Sequence, residues 1–201
     1  VEYQARNIPS GVCVPGGELV YRVHDIAPSS QTLVVVNCAG RTRSIIGAQS
    51  LINAGIPNKV VALRNGTMGW HLAGHSLETG MERSYGEIST AGIAEARKAA
   101  ERIRSRFQVQ SIDRTTLKLW LSESDQHSLY LLDVRNPEEY EAGHLRGSRS
   151  APGGQLVQET DHFVSTLRAR IVLIDDTGVR ASMAASWLNQ MGWEYVAVLE
   201  G

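Results

Sequence analysis

The sequence predicts an α/β protein made of two copies of one unit, each an open, mainly parallel sheet with helices on both faces. Two observations carry this. The first is an internal repeat: residues 3–20 (YQARNIPSGVCVPGGELV) match 140–157 (YEAGHLRGSRSAPGGQLV) at an offset of 137 residues. The same offset carries 33–51 (LVVVNCAGRTRSIIGAQSL) onto 170–188 (RIVLIDDTGVRASMAASWL). Two separated blocks in one register mark a duplicated unit. The second is the rhythm inside each copy. A short β-branched run is followed by a polar turn, a helical pattern and another β run, the order of a βαβ unit.

The elements follow in order. Residues 33–36 and 171–174 are continuously apolar, which predicts strands buried on both faces of a parallel sheet. The helix after the first strand spans about 44–54, with Ile45, Ile46, Ala48, Leu51 and Ile52 as its apolar side. Gly55 stands where a left-handed C-terminal cap belongs. Its counterpart spans about 182–191 and stops at Gly192. Further strands are expected at 59–63, 130–134 and 195–199. Residues 76–89 read as a polar connector. The alanine-rich stretch 91–107 is strongly helix-forming, and a short helix is expected at 115–121.

Composition narrows the functional classes. The chain has 201 residues, 42% apolar and 20% charged, with 20 basic against 21 acidic side chains. That balance leaves no electrostatic footprint for nucleic acid or an anionic membrane surface. No apolar run reaches the roughly 20 residues that span a bilayer. Two cysteines, Cys13 and Cys38, are too few for a disulfide framework, and no Cys/His spacing suits a metal. A reducing, cytoplasmic setting is therefore expected. For Cys13, a core or edge-strand position is expected over a resolving thiol.

The chemistry concentrates after the first buried strand. Cys38 ends that strand, and Ala39-Gly40-Arg41-Thr42-Arg43 lead to Ser44 at the start of the helix. A loop between a strand and a helix N-terminus turns successive N–H groups inward, forming an anion-binding nest. Arg41 and Arg43 add positive charge, which favours thiolate at Cys38. Arg43 closes the loop and ranks first as an anion ligand, with Arg41 second. Gly40 is expected to supply backbone freedom.

The Cys-x4-Arg-Ser pattern of 38–44 resembles the active-site loop of rhodanese-type sulfurtransferases. Residues 132–148 (LDVRNPEEYEAGHLRGS) resemble that family's opening strand and its Asp-Val-Arg, Glu-Glu-Tyr and Gly-His motifs. Residues 63–70 (LRNGTMGW) are similar to its closing signature. The resemblance implies that Cys38 takes sulfane sulfur from thiosulfate or a similar small anionic donor. Cys38 would then pass that sulfur, as a persulfide, to cyanide, a thiol or a protein acceptor. It implies a donor site at Ala39, Gly40, Arg41, Thr42, Arg43 and Ser44, with no cofactor or metal required. Two alternatives stand beside it. One is a non-catalytic sulfur-binding or interaction module. The other is a cysteine-dependent phosphatase or arsenate reductase, for which the loop is one residue short.

The second copy departs at the critical position, where Asp175 replaces Cys38. A carboxylate forms no persulfide, so this copy is expected to be silent. The expected organisation is a Cys-bearing domain at 1–76, a connector at 77–110 with a helix near 91–107, and a silent domain at 111–201. Each domain is expected to lack part of its repeat, the chain being a window on a longer array of rhodanese repeats.

Overall fold

Continuously apolar runs build the central strands of the larger sheet in the computed structural model, which describes residues 2–201. The chain divides into two compact units, Val1–Ile93 and Ala94–Gly201. The first contains α1 (Glu2–Ala5), a short 3-10 turn (Gly16–Glu18) leading into α2 (Leu19–Ile26), β1 (Val34–Val36), α3 (Thr42–Asn53), β2 (Val60–Ala62) and α4 (Gly66–Leu72). A long helix, α5 (Thr90–Phe107), leads into the second unit. There follow β3 (Gln110–Ile112), α6 (Arg114–Ser122), β4 (Leu129–Asp133), α7 (Pro137–Ala142), β5 (Arg149–Ser150), α8 (Gly153–Gln158), α9 (Thr160–Phe163), β6 (Arg170–Ile174), α10 (Val179–Gln190) and β7 (Val196–Leu199).

In the second unit five parallel strands run in the order β3-β7-β6-β4-β5. Alternate residues of β6 face opposite sides of the sheet. Val172 packs with Leu131, Ala197, Ile112 and Leu117 of α6 on one face. On the other, α10 packs on β6 and β7 and is itself flanked by α8. Ile171, Val172, Leu173 and Leu188 are fully buried, each worth about 1.5–3 kcal/mol of transfer free energy.

The expected helices and strands are present to within a few residues, and α3 and α10 coincide residue for residue at the repeat offset. Gly55 and Gly192 both adopt positive φ, 68° and 90°, as their capping role requires. The connector expected at 77–110 is divided between the units, because Ala96, Ala99, Ala100 and Ile103 of α5 are buried.

One expectation fails in the first unit. Among the described residues its sheet has only β1 and β2, paired in parallel from Val34↔Val60 to Val36↔Ala62. Leu33 and Val35 are consequently 52% and 48% exposed rather than buried on both faces. The cause is visible in the second unit, where β4 occupies the corresponding edge of β6. Beside β1 there is instead a cavity of about 800 Å³, lined by Val12, Cys13 and Val14 as well as Val35, Val36 and Cys38.

Candidate active site: the Cys38 loop

The loop joins the end of β1 to the start of α3, and α4 fixes its shape. The first amides of a helix have no intrahelical acceptor. Those of α4 find theirs in the loop: Thr67 N–H donates to the Cys38 carbonyl at 2.9 Å and Met68 N–H to that of Ala39 at 3.1 Å. With these carbonyls drawn outward, loop amides are free to turn inward. Gly66 makes the approach possible. It sits at φ +56°, and a Cβ there would collide with the Cys38 carbonyl oxygen and lie 2.8 Å from that of Gly40.

The Cys38 thiol is half-buried, with Sγ 3.4 Å from the Ser44 hydroxyl, which itself donates to the Arg41 carbonyl at 2.9 Å. Burial pushes the thiol pKa up and is the largest single influence. It is outweighed by the Ser44 hydroxyl, the N–H groups of Ser44 and Gly40, and the charge of Arg43. The net result lies below the ordinary thiol range, the direction that favours a nucleophilic thiolate.

The residues expected to bind a donor are not all gathered on the sulfur. Ser44 is buried and touches it, and Gly40 is half-buried with its N–H directed toward it. Ala39, Arg41, Thr42 and Arg43 are exposed. The Arg43 guanidinium is held by Glu2, its two terminal nitrogens donating to the two carboxylate oxygens at 2.5 Å each. Gly40 has open space around its Cα and no positive φ, so the conformational freedom expected of it is needed at Gly66 instead. Sequence reasoning missed Glu2 and the support from α4. Both signals were present, in the counterpart Glu139 and in the Asn-Gly of residues 65–66. Cys13 is half-buried and forms a single parallel bridge with Ser84.

The corresponding loop of the second unit is filled by its own side chain. The Asp175 side chain is fully buried and accepts from Gly178 N–H at 2.7 Å, Arg180 N–H at 3.0 Å and the Thr177 hydroxyl at 3.2 Å. Burial pushes its carboxyl pKa up, against the lowering influence of Arg180 and these N–H donors. Arg180 is also buried. It donates to Glu139 at 2.6 and 3.0 Å and to Asp176 at 2.7 Å.

A parallel α/β sheet flanked by helices, with a cysteine loop between strand and helix N-terminus, defines a class that the comparisons specify further. The rhodanese-like domain model matches residues 113–201, within the second unit. It superposes over its whole length on the crystal structure of thiosulfate sulfurtransferase from Pseudomonas aeruginosa, with 61% identity and a TM-score of 0.94, covering 38% of that chain. Thiosulfate sulfurtransferase GlpE of Pseudoalteromonas translucida is 28% identical over 79 residues, 38% of this chain and 71% of that protein. The tRNA uridine(34) hydroxylase of Wigglesworthia glossinidia brevipalpis is 26% identical over 80 residues, 38% of this chain and 25% of that one. The chain thus spans only about a quarter to two fifths of two of these relatives. Among the described residues, no helix is long and apolar enough to cross a membrane.

Proposed function

We propose that the chain is a sulfurtransferase segment in which Cys38 accepts sulfane sulfur from thiosulfate or a similar anionic donor. The observation that carries this reading is the half-buried Cys38 thiol, made more acidic by Ser44, by loop N–H groups and by Arg43. The thiolate attacks the outer sulfur of thiosulfate. A Cys38–S bond forms, the S–S bond of the donor breaks, and sulfite leaves with the bonding electrons. Donors fixed around the sulfur stabilise the charge as it moves through the transition state. Cyanide, a thiol or a protein acceptor then attacks the outer persulfide sulfur and returns Cys38 as thiolate. Likeness to thiosulfate sulfurtransferases of two organisms supports the donor class.

The second unit is a silent rhodanese copy on this reading, since Asp175 supplies internally the negative charge that a donor would bring. The paired arrangement, the domain limits 1–76 and 111–201, and a reducing compartment belong to the same proposal. The test is intact-mass spectrometry after incubation with thiosulfate. One added sulfur atom is expected, retained in Cys13→Ser and lost in Cys38→Ser. Sulfur retained in Cys38→Ser would overturn the assignment.

A further inference from the structure

The two loops form an internal comparison: one carries a thiol and the other does not, on the same strand–helix scaffold. At the repeat offset Cys38 corresponds to Asp175, Arg41 to Gly178, Arg43 to Arg180 and Ser44 to Ala181. Arg43 is therefore common to both loops, whereas Arg41 and Ser44 accompany the thiol alone.

The common arginine also has a common partner. Arg43 is the second residue of α3 and Arg180 the second residue of α10. Arg43 is gripped by both carboxylate oxygens of Glu2, on α1. Arg180 is gripped by both oxygens of Glu139, on α7. Glu2 and Glu139 are counterparts at the same offset. A fork-to-fork pair is directional and fixes the guanidinium plane. Its presence in the loop where Asp175 already fills the anion position shows that the pair has a use without any donor. Arg41 differs on each count. It is exposed, its guanidinium has no hydrogen-bond or ion-pair partner among the described residues, and its counterpart Gly178 stands at φ +76° beside the carboxylate-filled nest.

We infer that Glu2 and Arg43 form a clamp that positions the Cys38 loop, and that Arg41 is the side chain that meets the anionic donor. This division of labour rests on the sulfurtransferase reading for the identity of the donor, but its test does not require turnover. Arg43 is thus a positioning residue, and Arg41 takes the specificity role that loop order alone would give to Arg43.

The experiment follows iodoacetamide alkylation of Cys38 by peptide mass, which separates it from Cys13, as a function of pH and of sulfate, an unreactive anion. It uses the full chain and the variants Arg41→Gln, Glu2→Gln, Arg43→Gln and the Glu2→Gln/Arg43→Gln double variant. Arg41→Gln is expected to raise the sulfate concentration for half-protection about tenfold or more, the loss of one charge-assisted contact. Its pH midpoint should stay in place. Glu2→Gln and Arg43→Gln should each move the pH midpoint upward, and the double variant no further than either, as coupled partners behave. The upward shift in Glu2→Gln is the discriminating result. If Arg43 were a donor ligand merely masked by Glu2, freeing its charge would lower the midpoint and tighten sulfate protection. That outcome overturns the inference, as does a silent Arg41→Gln or a wild-type thiol that sulfate never protects. Failure of the sulfurtransferase reading itself registers separately, as absence of the added sulfur atom on Cys38.

Discussion

Replacing Gly66 with alanine should disable the Cys38 loop from outside it. The residue sits at φ +56°, where an L side chain costs about 1–2 kcal/mol. The added Cβ would also meet the carbonyl oxygens of Cys38 and Gly40 and the carbonyl carbon of Ala39. All three are backbone atoms, so relief requires moving the loop or α4. That movement lengthens the bonds from Thr67 and Met68 to Cys38 and Ala39, each worth about 1 kcal/mol net. The sum is a loss of about 2–4 kcal/mol, concentrated in the first unit.

Hydrogen exchange resolved by residue is the appropriate assay, because it reads local opening free energies separately in each unit. Amides of β1 and of the start of α4 should lose protection in Gly66→Ala, while those of β6 and α10 keep theirs. The pH midpoint of Cys38 alkylation should rise as loop N–H groups leave the sulfur. Gly40→Ala is the control: its Cβ would meet nothing within 4 Å, and its cost should stay below about 1 kcal/mol. If Gly66→Ala proved as mild as Gly40→Ala, with unchanged protection and alkylation, the account of loop support would be wrong.

Three further outcomes are expected. Ser44→Ala should raise the Cys38 pKa, since its hydroxyl lies 3.4 Å from the sulfur and favours the charged form; the alkylation profile of this variant would show an upward shift. In the wild type, the pH midpoint of Cys38 alkylation should lie below that of a free cysteine thiol measured alongside, and its alkylation should outpace that of the free thiol at neutral pH. Because the folded-state pKa is depressed, Cys38 contributes stability above the unfolded value that is lost as pH falls through the folded one, an effect visible in urea midpoints compared with Cys38→Ser. Asp175→Ala strips the acceptor from Gly178 N–H and Arg180 N–H and should destabilise the second unit by about 1–3 kcal/mol in denaturant titration.

Much of this was legible in the sequence because repeat and period are local signals. The apolar runs at 171–174 and 195–199 and the glycine stops at 55 and 192 place strands and helices without any tertiary information. The loop was legible for the same reason, since Cys38 to Ser44 are contiguous. What escaped was tertiary. The exposure of Leu33 and Val35 depends on which strand lies beside β1, and apolar runs do not encode their neighbours. Arg43 ranked first as an anion ligand because it closes the loop, but Glu2 lies 41 residues away. The repeat still contained that clue, for Glu2 and Glu139 share a register just as Arg43 and Arg180 do. The role of Gly66 rests on a carbonyl 28 residues earlier, that of Cys38.

The contrast between the loops makes a prediction about the thiol itself. If a cysteine between strand and helix were sufficient, Asp175→Cys in a Cys38→Ser background would take up sulfur from thiosulfate. The second loop does keep Gly178 and Arg180 N–H groups aimed at that position and a paired arginine behind it. It offers Ala181 where Ser44 stands, and Gly178 at φ +76° where Arg41 stands. The side chain at position 175 is also fully buried, so the sulfur of an anionic donor would have to leave water to reach it without the charged contact proposed for Arg41. The expected result is a thiol that alkylates slowly and gains no sulfur atom by intact mass. Adding Ala181→Ser should lower its pKa without restoring donor access. Stoichiometric persulfide on the single Asp175→Cys variant would show that scaffold and thiol suffice, and would remove Arg41 and Ser44 from the argument for the first loop.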